Sequence, residues 1–204
     1  MRILMLTLLL LSHYVEAREW SFNAYLDKSK IGEHRFILTE NGTQRELLSK
    51  ANFDVKILFI NAYHYEHTAI EKWSADCLTA IDSRTIENKE TSIVKGVLTD
   101  SSFSVDMPKG HLTLPGCPMT FAYWDPRILS QSKLLNPQTG EWLDVTVKPL
   151  GKEQINVRGE TRLAEKYRLE AIKMKIDLWY SPEKEWLALQ STTPEGYLIT
   201  YKLK

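Results

Sequence analysis

The stretch CPMTFAYWDPRILSQSKLLNPQTGEW, residues 117–142, differs in pattern from the rest of the chain, which alternates short apolar segments with turn residues. Asp125 predicts a helix start, because its side chain can cap exposed backbone N–H groups and Pro126 suits the first helical position. Pro137 predicts the end, because the residue before a proline is pushed out of helical geometry. We therefore expect one short central helix over residues 126–135.

The sequence on both sides of this stretch predicts β-strands. Residues 20–26 alternate apolar and polar side chains, which is typical of a half-buried strand, and Asn41-Gly42 is a strong hairpin signal. Short strands separated by turn residues recur to the C-terminus, which favours a barrel or a strongly curved sheet. We expect a mainly β fold, a single curved antiparallel sheet or partly open β-barrel of about ten to twelve strands around the central helix.

The N-terminus has the pattern of a signal peptide. Arg2 precedes the apolar run of residues 3–11, which is too short to span a bilayer, and cleavage is expected after Ala17. One β-rich domain over residues 18–204 would remain. No later apolar run approaches the roughly 18 residues that a membrane span needs. The sequence therefore predicts a periplasmic or secreted protein with no transmembrane segment in the mature chain.

The charge balance restricts the class of partner. The chain has 26 Lys and Arg residues against 26 Asp and Glu residues, and the two signs are interspersed. A nucleic-acid-binding surface needs a net basic footprint. Nucleic acid is therefore not an expected partner.

The two cysteines, Cys77 and Cys117, are expected to form a disulfide, because an even pair in an oxidising compartment is most simply joined. Closing a loop of about 40 residues would stabilise the fold by about 4 kcal/mol in the chain-entropy model. The alternative is two buried free thiols. The spacing lacks the paired pattern of a zinc motif, so no metal site is predicted.

Three residues are weak candidates for catalysis. His64 and Glu66 are two positions apart and share one face of a strand, so they could form an acid–base pair, although a surface pair is the alternative. Asp125 could add a catalytic carboxylate, but its position before a proline favours a helix cap. The chain has neither a nucleophile-elbow pattern nor a glycine-rich phosphate loop, and no cofactor is predicted.

The chain is rich in large aromatic side chains, with six tryptophans, nine tyrosines and six phenylalanines. Such side chains suit the lining of a cavity, and the alternative is a core filled with bulky groups. A curved sheet of this size can hold one small ligand. The residues predicted to line a ligand-binding cleft are Phe121, Tyr123, Trp124 and Trp179.

Four motifs carry a resemblance to a known family. They are WSFNAYLDKSKIGEHRF (20–36), AYHYEHTAIEKW (62–73), the stretch 117–142 quoted above, and KYRLEAIKMKIDLWYSPEKEWLALQS (166–191). Together they resemble an uncharacterised bacterial family of exported proteins, the domain-of-unknown-function family numbered 6134. The resemblance implies no established activity and no catalytic residues. The last motif is also similar to envelope proteins with a curved antiparallel sheet around a helix, in the style of lipoprotein carriers.

The sequence leaves three hypotheses open. The first is a non-enzymatic periplasmic protein that binds or carries a lipid or other hydrophobic small molecule. The second is an enzyme of envelope metabolism that uses the His64 and Glu66 pair. The third is an assembly factor that binds another envelope protein through a sheet edge.

Overall fold

The computed structural model describes residues 16–57, 60–172, 174–193 and 196–204, which form fifteen strands and one 3₁₀ helix. The strands are β1 (Glu16–Leu26), β2 (Ser29–Asn41), β3 (Gln44–Ile57), β4 (Ile60–Ser74), β5 (Cys77–Glu87), β6 (Glu90–Leu98), β7 (Ser102–Met107), β8 (Gly110–Pro115), β9 (Lys133–Leu135), β10 (Trp142–Asp144), β11 (Thr146–Val157), β12 (Glu160–Ala171), β13 (Met174–Tyr180), β14 (Trp186–Thr192) and β15 (Leu198–Leu203). The 3₁₀ helix is Pro126–Ser130.

Thirteen of these strands form one antiparallel sheet in the order β11-β12-β13-β14-β15-β1-β2-β3-β4-β5-β6-β7-β8. Each strand pairs with its neighbour along the chain, and β15 returns to pair with β1, where Phe22 lies opposite Leu203. In the described residues, β8 and β11 do not pair, so the sheet is not closed into a barrel. The single antiparallel sheet is confirmed, whereas the predicted number of ten to twelve strands is too low.

The sheet is strongly curved. Strands that are three positions apart in a flat sheet would be separated by about 14 Å. The rings of Phe53 on β3 and Tyr201 on β15 nevertheless have centroids only 6.0 Å apart. Phe36 on β2 and Trp186 on β14, also three strands apart, are separated by 5.0 Å. The core side chains therefore converge on the concave face.

Strand β4 shows how the alternating sequence separates the two faces. Tyr65, His67, Ala69, Glu71 and Trp73 are buried on the concave side, while the residues between them are half-buried or exposed on the outer side. Successive side chains of a strand point to opposite faces, so one run of alternate positions is enclosed by the curvature. Two polar residues, His67 and Glu71, belong to this enclosed set of positions.

The segment 116–145 between β8 and β11, called the insert here, packs against the concave face. Its predicted central helix over residues 126–135 is wrong: one 3₁₀ turn ends at Ser130, and β9 and β10 follow as a two-stranded sheet. The backbone N–H of Leu135 donates to the carbonyl of Met119 rather than within a helix. A helix of about ten residues is marginal by itself, so these tertiary contacts decide the conformation. No helix in the described part of the chain is long and apolar enough to cross a membrane.

Two features of the insert agree with the sequence. The Asp125 carboxylate accepts a hydrogen bond from the Arg127 backbone N–H at 3.0 Å, so Asp125 does cap the short helix. Cys77 at the start of β5 and Cys117 at the start of the insert are joined in a disulfide. This bond fixes one end of the insert to the sheet.

Candidate ligand-binding cavity

A cavity of about 710 Å³ lies between the concave face of the sheet and the insert. Small-molecule sites typically have volumes of about 300–1,000 Å³. The lining side chains come from β1 to β5, from β13 to β15 and from the insert, and most of them are apolar or aromatic. The cavity is therefore suited in size and surface to a small hydrophobic molecule.

Small side chains on adjacent strands make room for this cavity. Ser49 on β3 lies opposite Ala69 on β4, and Ala69 lies opposite Ser83 on β5. Ser49 and Ala69 both line the space. The Ser83 hydroxyl donates a hydrogen bond to the carbonyl of Pro137, which holds the insert over the row. Larger residues at these three positions would fill the gap between sheet and insert.

Two histidines belong to the lining, His67, which is buried, and His34, which is half-buried. His34 contacts the Tyr201 hydroxyl through Nδ1 at 3.1 Å and the Ser49 hydroxyl through Nε2 at 2.8 Å. His67 contacts the Thr85 hydroxyl through Nδ1 at 2.9 Å. Burial lowers the pKa of His67 to about 4 and holds the pKa of His34 well below its usual value, with the nearby His67 adding to the effect. Both rings are therefore neutral at pH 7.

Glu71 is the most unusual group in the lining. Its side chain is buried, with the residue only 4% exposed, and Oε2 accepts hydrogen bonds from the Thr120 hydroxyl at 3.1 Å and from Trp73 Nε1 at 3.2 Å. Oε1 makes no hydrogen bond with another described residue, and Glu71 belongs to the lining of the cavity. Burial raises the pKa of Glu71 to about 7, although both hydrogen bonds act in the opposite direction.

The structure places the four predicted lining residues in three environments. Phe121 and Tyr123 line the cavity. Trp124, one residue further, instead packs edge-on against Trp73 with ring centroids 5.8 Å apart and lines a separate charged pocket. Phe121 and Tyr123, two positions apart, thus face one space and the next residue faces another, which is the alternation of an extended chain although residues 121–124 form no strand.

Trp179 lies away from the cavity. On β13, Leu178 and Tyr180 belong to the concave face, so Trp179 points to the opposite side of the strand. Its Nε1 donates to a Glu153 carboxylate oxygen at 2.6 Å, and the Lys166 ammonium lies 4.6 Å from its ring centroid. The indole, only 9% exposed, is therefore buried against side chains of β11 and β12 and not in the cavity.

Of the candidate catalytic residues, His64 and Glu66 form a surface pair, with His64 Nε2 3.4 Å from a carboxylate oxygen of Glu66, whereas Asp125 lies elsewhere. His64 and Glu66 lie on the outer face of β4, with 35% and 46% of their side-chain surfaces exposed. His64 Nδ1 lies 2.8 Å from a carboxylate oxygen of Asp54, and this hydrogen bond is the main reason that its pKa is raised. Asp125 is buried in the charged pocket, so these residues share no cleft.

The charged pocket, of about 610 Å³, lies beside residues 124–127 of the insert. The Arg127 guanidinium binds both oxygens of the Asp125 carboxylate, and Arg45 Nη1 lies 3.7 Å from Oδ2. The Arg45 guanidinium also stacks 5.2 Å from the Trp124 ring centroid. Asp125 is thus paired with two arginines, while Trp124 Nε1 is buried without a hydrogen-bond partner among the described residues.

Metal ligands are not clustered in the ranges that the structure describes: no group of three or more His, Cys, Asp or Glu side chains is placed to hold an ion.

Comparison with known proteins identifies a family and a fold. The family model described as Domain of unknown function (DUF6134) matches residues 22–204, which confirms the resemblance carried by the four motifs. No curated protein matches the chain. The crystal structure of a β-barrel-like protein of the domain of unknown function DUF1849 from Brucella abortus is similar, with a TM-score of 0.69 and 12% identity over 94% of this chain and 97% of that one. At this identity the similarity shows the fold alone.

Proposed function

This chain belongs to the family described as Domain of unknown function (DUF6134), and because that description assigns no activity, we propose a function from the cavity itself: an exported protein that binds a lipid or another hydrophobic small molecule.

The observation that carries this proposal is the cavity of about 710 Å³ under the insert, with its predominantly apolar and aromatic lining. On one wall the Phe53 and Tyr65 rings stack with centroids 5.3 Å apart, and the Tyr63 ring stacks next to Tyr65 at 6.5 Å. Such a wall gives a ligand a large apolar contact area. Each methylene that leaves water for this space contributes about 0.8 kcal/mol to binding.

Export is the second part of the proposal. The disulfide between Cys77 and Cys117 suits an oxidising compartment. Most of the predicted signal peptide lies outside the described residues, but β1 begins at Glu16. Cleavage after Ala17 would keep the pairing between Arg18 and Leu38 and all later pairs of β1 with β2. N-terminal sequencing of the exported protein tests this proposal, with Arg18 as the expected first residue.

The test of binding is native mass spectrometry of the protein purified from the periplasm, followed by organic extraction of bound molecules. A stoichiometric hydrophobic species that survives gentle ionisation supports the proposal. A protein that folds cooperatively, carries nothing, and takes up no neutral hydrophobic dye such as Nile red would overturn it.

A pair of substitutions on β4 localises the binding. Ala69→Phe places a ring into the cavity, while Thr68→Phe adds the same ring to the exposed outer face of the same strand. We expect Ala69→Phe to lose the bound species and Thr68→Phe to retain it. Equal retention in both variants would place the ligand elsewhere.

Edge strand β11 does not favour the hypothesis of an assembly factor that binds another protein through a sheet edge. Edge strand β11 contains Pro149, which has no amide proton, and its pairing register shifts between Pro149 and Gly151. Exposed Lys148 and Lys152 flank this irregularity. Proline, bulges and lysines are the features by which natural sheets prevent pairing at their edges.

A further inference from the structure

We propose that the cavity selects hydrophobic molecules that end in a basic amine, with Glu71 as the group that binds the ammonium. This inference rests on the proposed function, since it names the ligand class for the same cavity. Its basis is the position of one half-satisfied carboxylate in a largely apolar space to which no Lys or Arg of the described ranges contributes.

Glu71 lies towards one end of the row of inward-facing residues on β4. On β4 it is opposite Leu47 of β3 and Ile81 of β5, and the insert covers it with Thr120. At the other end, Tyr63 and Tyr65 lie opposite Val55 and Glu87. A linear molecule that enters beside the tyrosines would therefore bring its leading group to Glu71.

The donors around Glu71 leave one oxygen available. Thr120 and Trp73 both donate to Oε2, while Oε1 of this cavity-lining side chain has no partner among the described residues. Folding has already removed this carboxyl group from water, so a ligand that donates to Oε1 replaces a missing interaction rather than breaking an existing one. An ammonium group donates up to three hydrogen bonds and also compensates the charge.

The charges in the cavity favour a cation over an anion. Its acidic residues are Glu71 and Glu87, and no Lys or Arg side chain lines it within the described ranges. A ligand carboxylate would thus meet two acids and no compensating cation. An alcohol could donate one hydrogen bond to Glu71, so it should bind with intermediate strength.

The other titratable groups that face the cavity do not compensate Glu71. His67 on the same strand and His34 on β2 are neutral at pH 7, and the remaining groups are the acid Glu87 on β5 and tyrosines on β4, β15 and the insert. Arg45 on β3 lies opposite Trp73, but its guanidinium is engaged by Asp125 and the Trp124 ring. Among the cavity-lining residues that the structure describes, none therefore supplies a positive charge to Glu71.

The experiment is displacement of Nile red from the full mature protein by dodecylamine, dodecanol and dodecanoate, all below their micelle-forming concentrations. We expect dodecylamine to displace the dye about 10-fold more effectively than dodecanol, because the ammonium compensates the charge of Glu71 and offers further donors, whereas the alcohol donates one hydrogen bond without compensating the charge. Dodecanoate should be the weakest of the three.

The variant Glu71→Gln should abolish the preference for the amine while dodecanol still displaces the dye. The matched control is Glu66→Gln, which removes the same charge from the outer face of β4 and should keep the preference. Equal displacement by all three compounds, or a preference that survives in Glu71→Gln, overturns the inference but leaves hydrophobic binding intact. Failure of Nile red and of every competitor to bind overturns the proposed function itself.

A pH series on the unchanged protein tests the inference if Glu71→Gln does not fold. Pairing with an ammonium requires the ionised carboxylate, so the affinity for dodecylamine should fall as the pH decreases below about 7, by up to 10-fold per pH unit. The affinity for dodecanol should change less. An amine affinity that is constant between pH 5 and 8 would contradict the role of Glu71.

Discussion

Glu71 and Asp125 are equally buried carboxyl groups, 4% and 3% exposed, at two places where the insert meets the sheet, but their partners differ. Asp125 is held by the guanidinium groups of Arg127 and Arg45. Among the described residues, Glu71 has the neutral donors Thr120 and Trp73, and burial raises its pKa to about 7. Burial alone therefore does not distinguish the two carboxyl groups; the charge of their neighbours does.

This difference assigns separate roles to two parts of the insert. Around Asp125 the insert is fastened to the sheet, because Asp125 pairs with Arg45 of β3 and the disulfide joins Cys117 to Cys77 of β5. Around Thr120 the insert covers Glu71, whose Oε1 has no partner among the described residues. The following predictions test that division, from the largest expected effect to the smallest.

The double substitution Cys77→Ser and Cys117→Ser should lower the free energy of unfolding by about 4 kcal/mol, because the disulfide closes a loop with a sequence separation of 40. Urea titration of the variant measures the effect, and the wild-type protein under reducing conditions is the control that should match it. A loss of less than about 1 kcal/mol would mean that the insert is held mainly by its other contacts.

Glu71→Gln should remove a pH-dependent loss of stability. A carboxyl group whose folded pKa is about 7 and whose usual value is 4.5 favours folding below pH 4.5, and this contribution disappears as the pH rises to 7. The stability of the variant minus that of the wild type should therefore increase by about 3 kcal/mol between pH 4.5 and pH 8. His34 and His67 have the opposite effect, because their lowered pKa values reduce the stability of the fold as the pH falls below 6.5. Their contribution is the same in both proteins and cancels in this difference.

Urea titrations of both proteins across this pH range provide the measurement. A difference in stability that does not change with pH would mean that Glu71 titrates normally, and the contrast with Asp125 would fail.

Asp125→Asn should lower the free energy of unfolding at pH 7 by about 2 kcal/mol, because it leaves Arg127 and Arg45 without their buried carboxylate. The figure is below that of a fully buried pair because the Arg127 side chain is 33% exposed. Asp76→Asn is the matched control: Asp76 contacts the same two arginines, but its side chain is 81% exposed, so the change should be small. Similar losses in both variants would contradict the special role of Asp125.

His64 should behave as a surface residue, in contrast to the cavity histidines. We expect an NMR titration to give a pKa above 6.5 for His64, because of its hydrogen bond to Asp54, and a pKa of about 4 for His67. His64→Gln should leave the urea midpoint unchanged within error. A low pKa for His64 would place it in the interior and reverse the assignment of the two faces of β4.

The alternation of the sequence predicted the sheet because the period-two pattern is a property of each strand. The same pattern in AYHYEHTAIEKW puts Glu71 in the inward set with Tyr65 and Trp73, and an acid in such a set is the signal that would have identified it. The helix prediction failed because local signals fixed only a cap and a single turn. Leu134 and Leu135 adopt a strand conformation because they pair with Leu143 and Trp142.

The sequence by itself determined an antiparallel β fold, the family, and the disulfide, because strand periodicity, specific motifs and a lone pair of cysteines are each visible along one chain. The tertiary structure alone decided which residues share the cavity. Curvature brings together strands far apart in the chain, so Phe53 meets Tyr201 and Glu71 meets Thr120 across separations that no local pattern encodes. Burial without a compensating charge, which distinguishes Glu71 from Asp125, exists only once those strands are assembled.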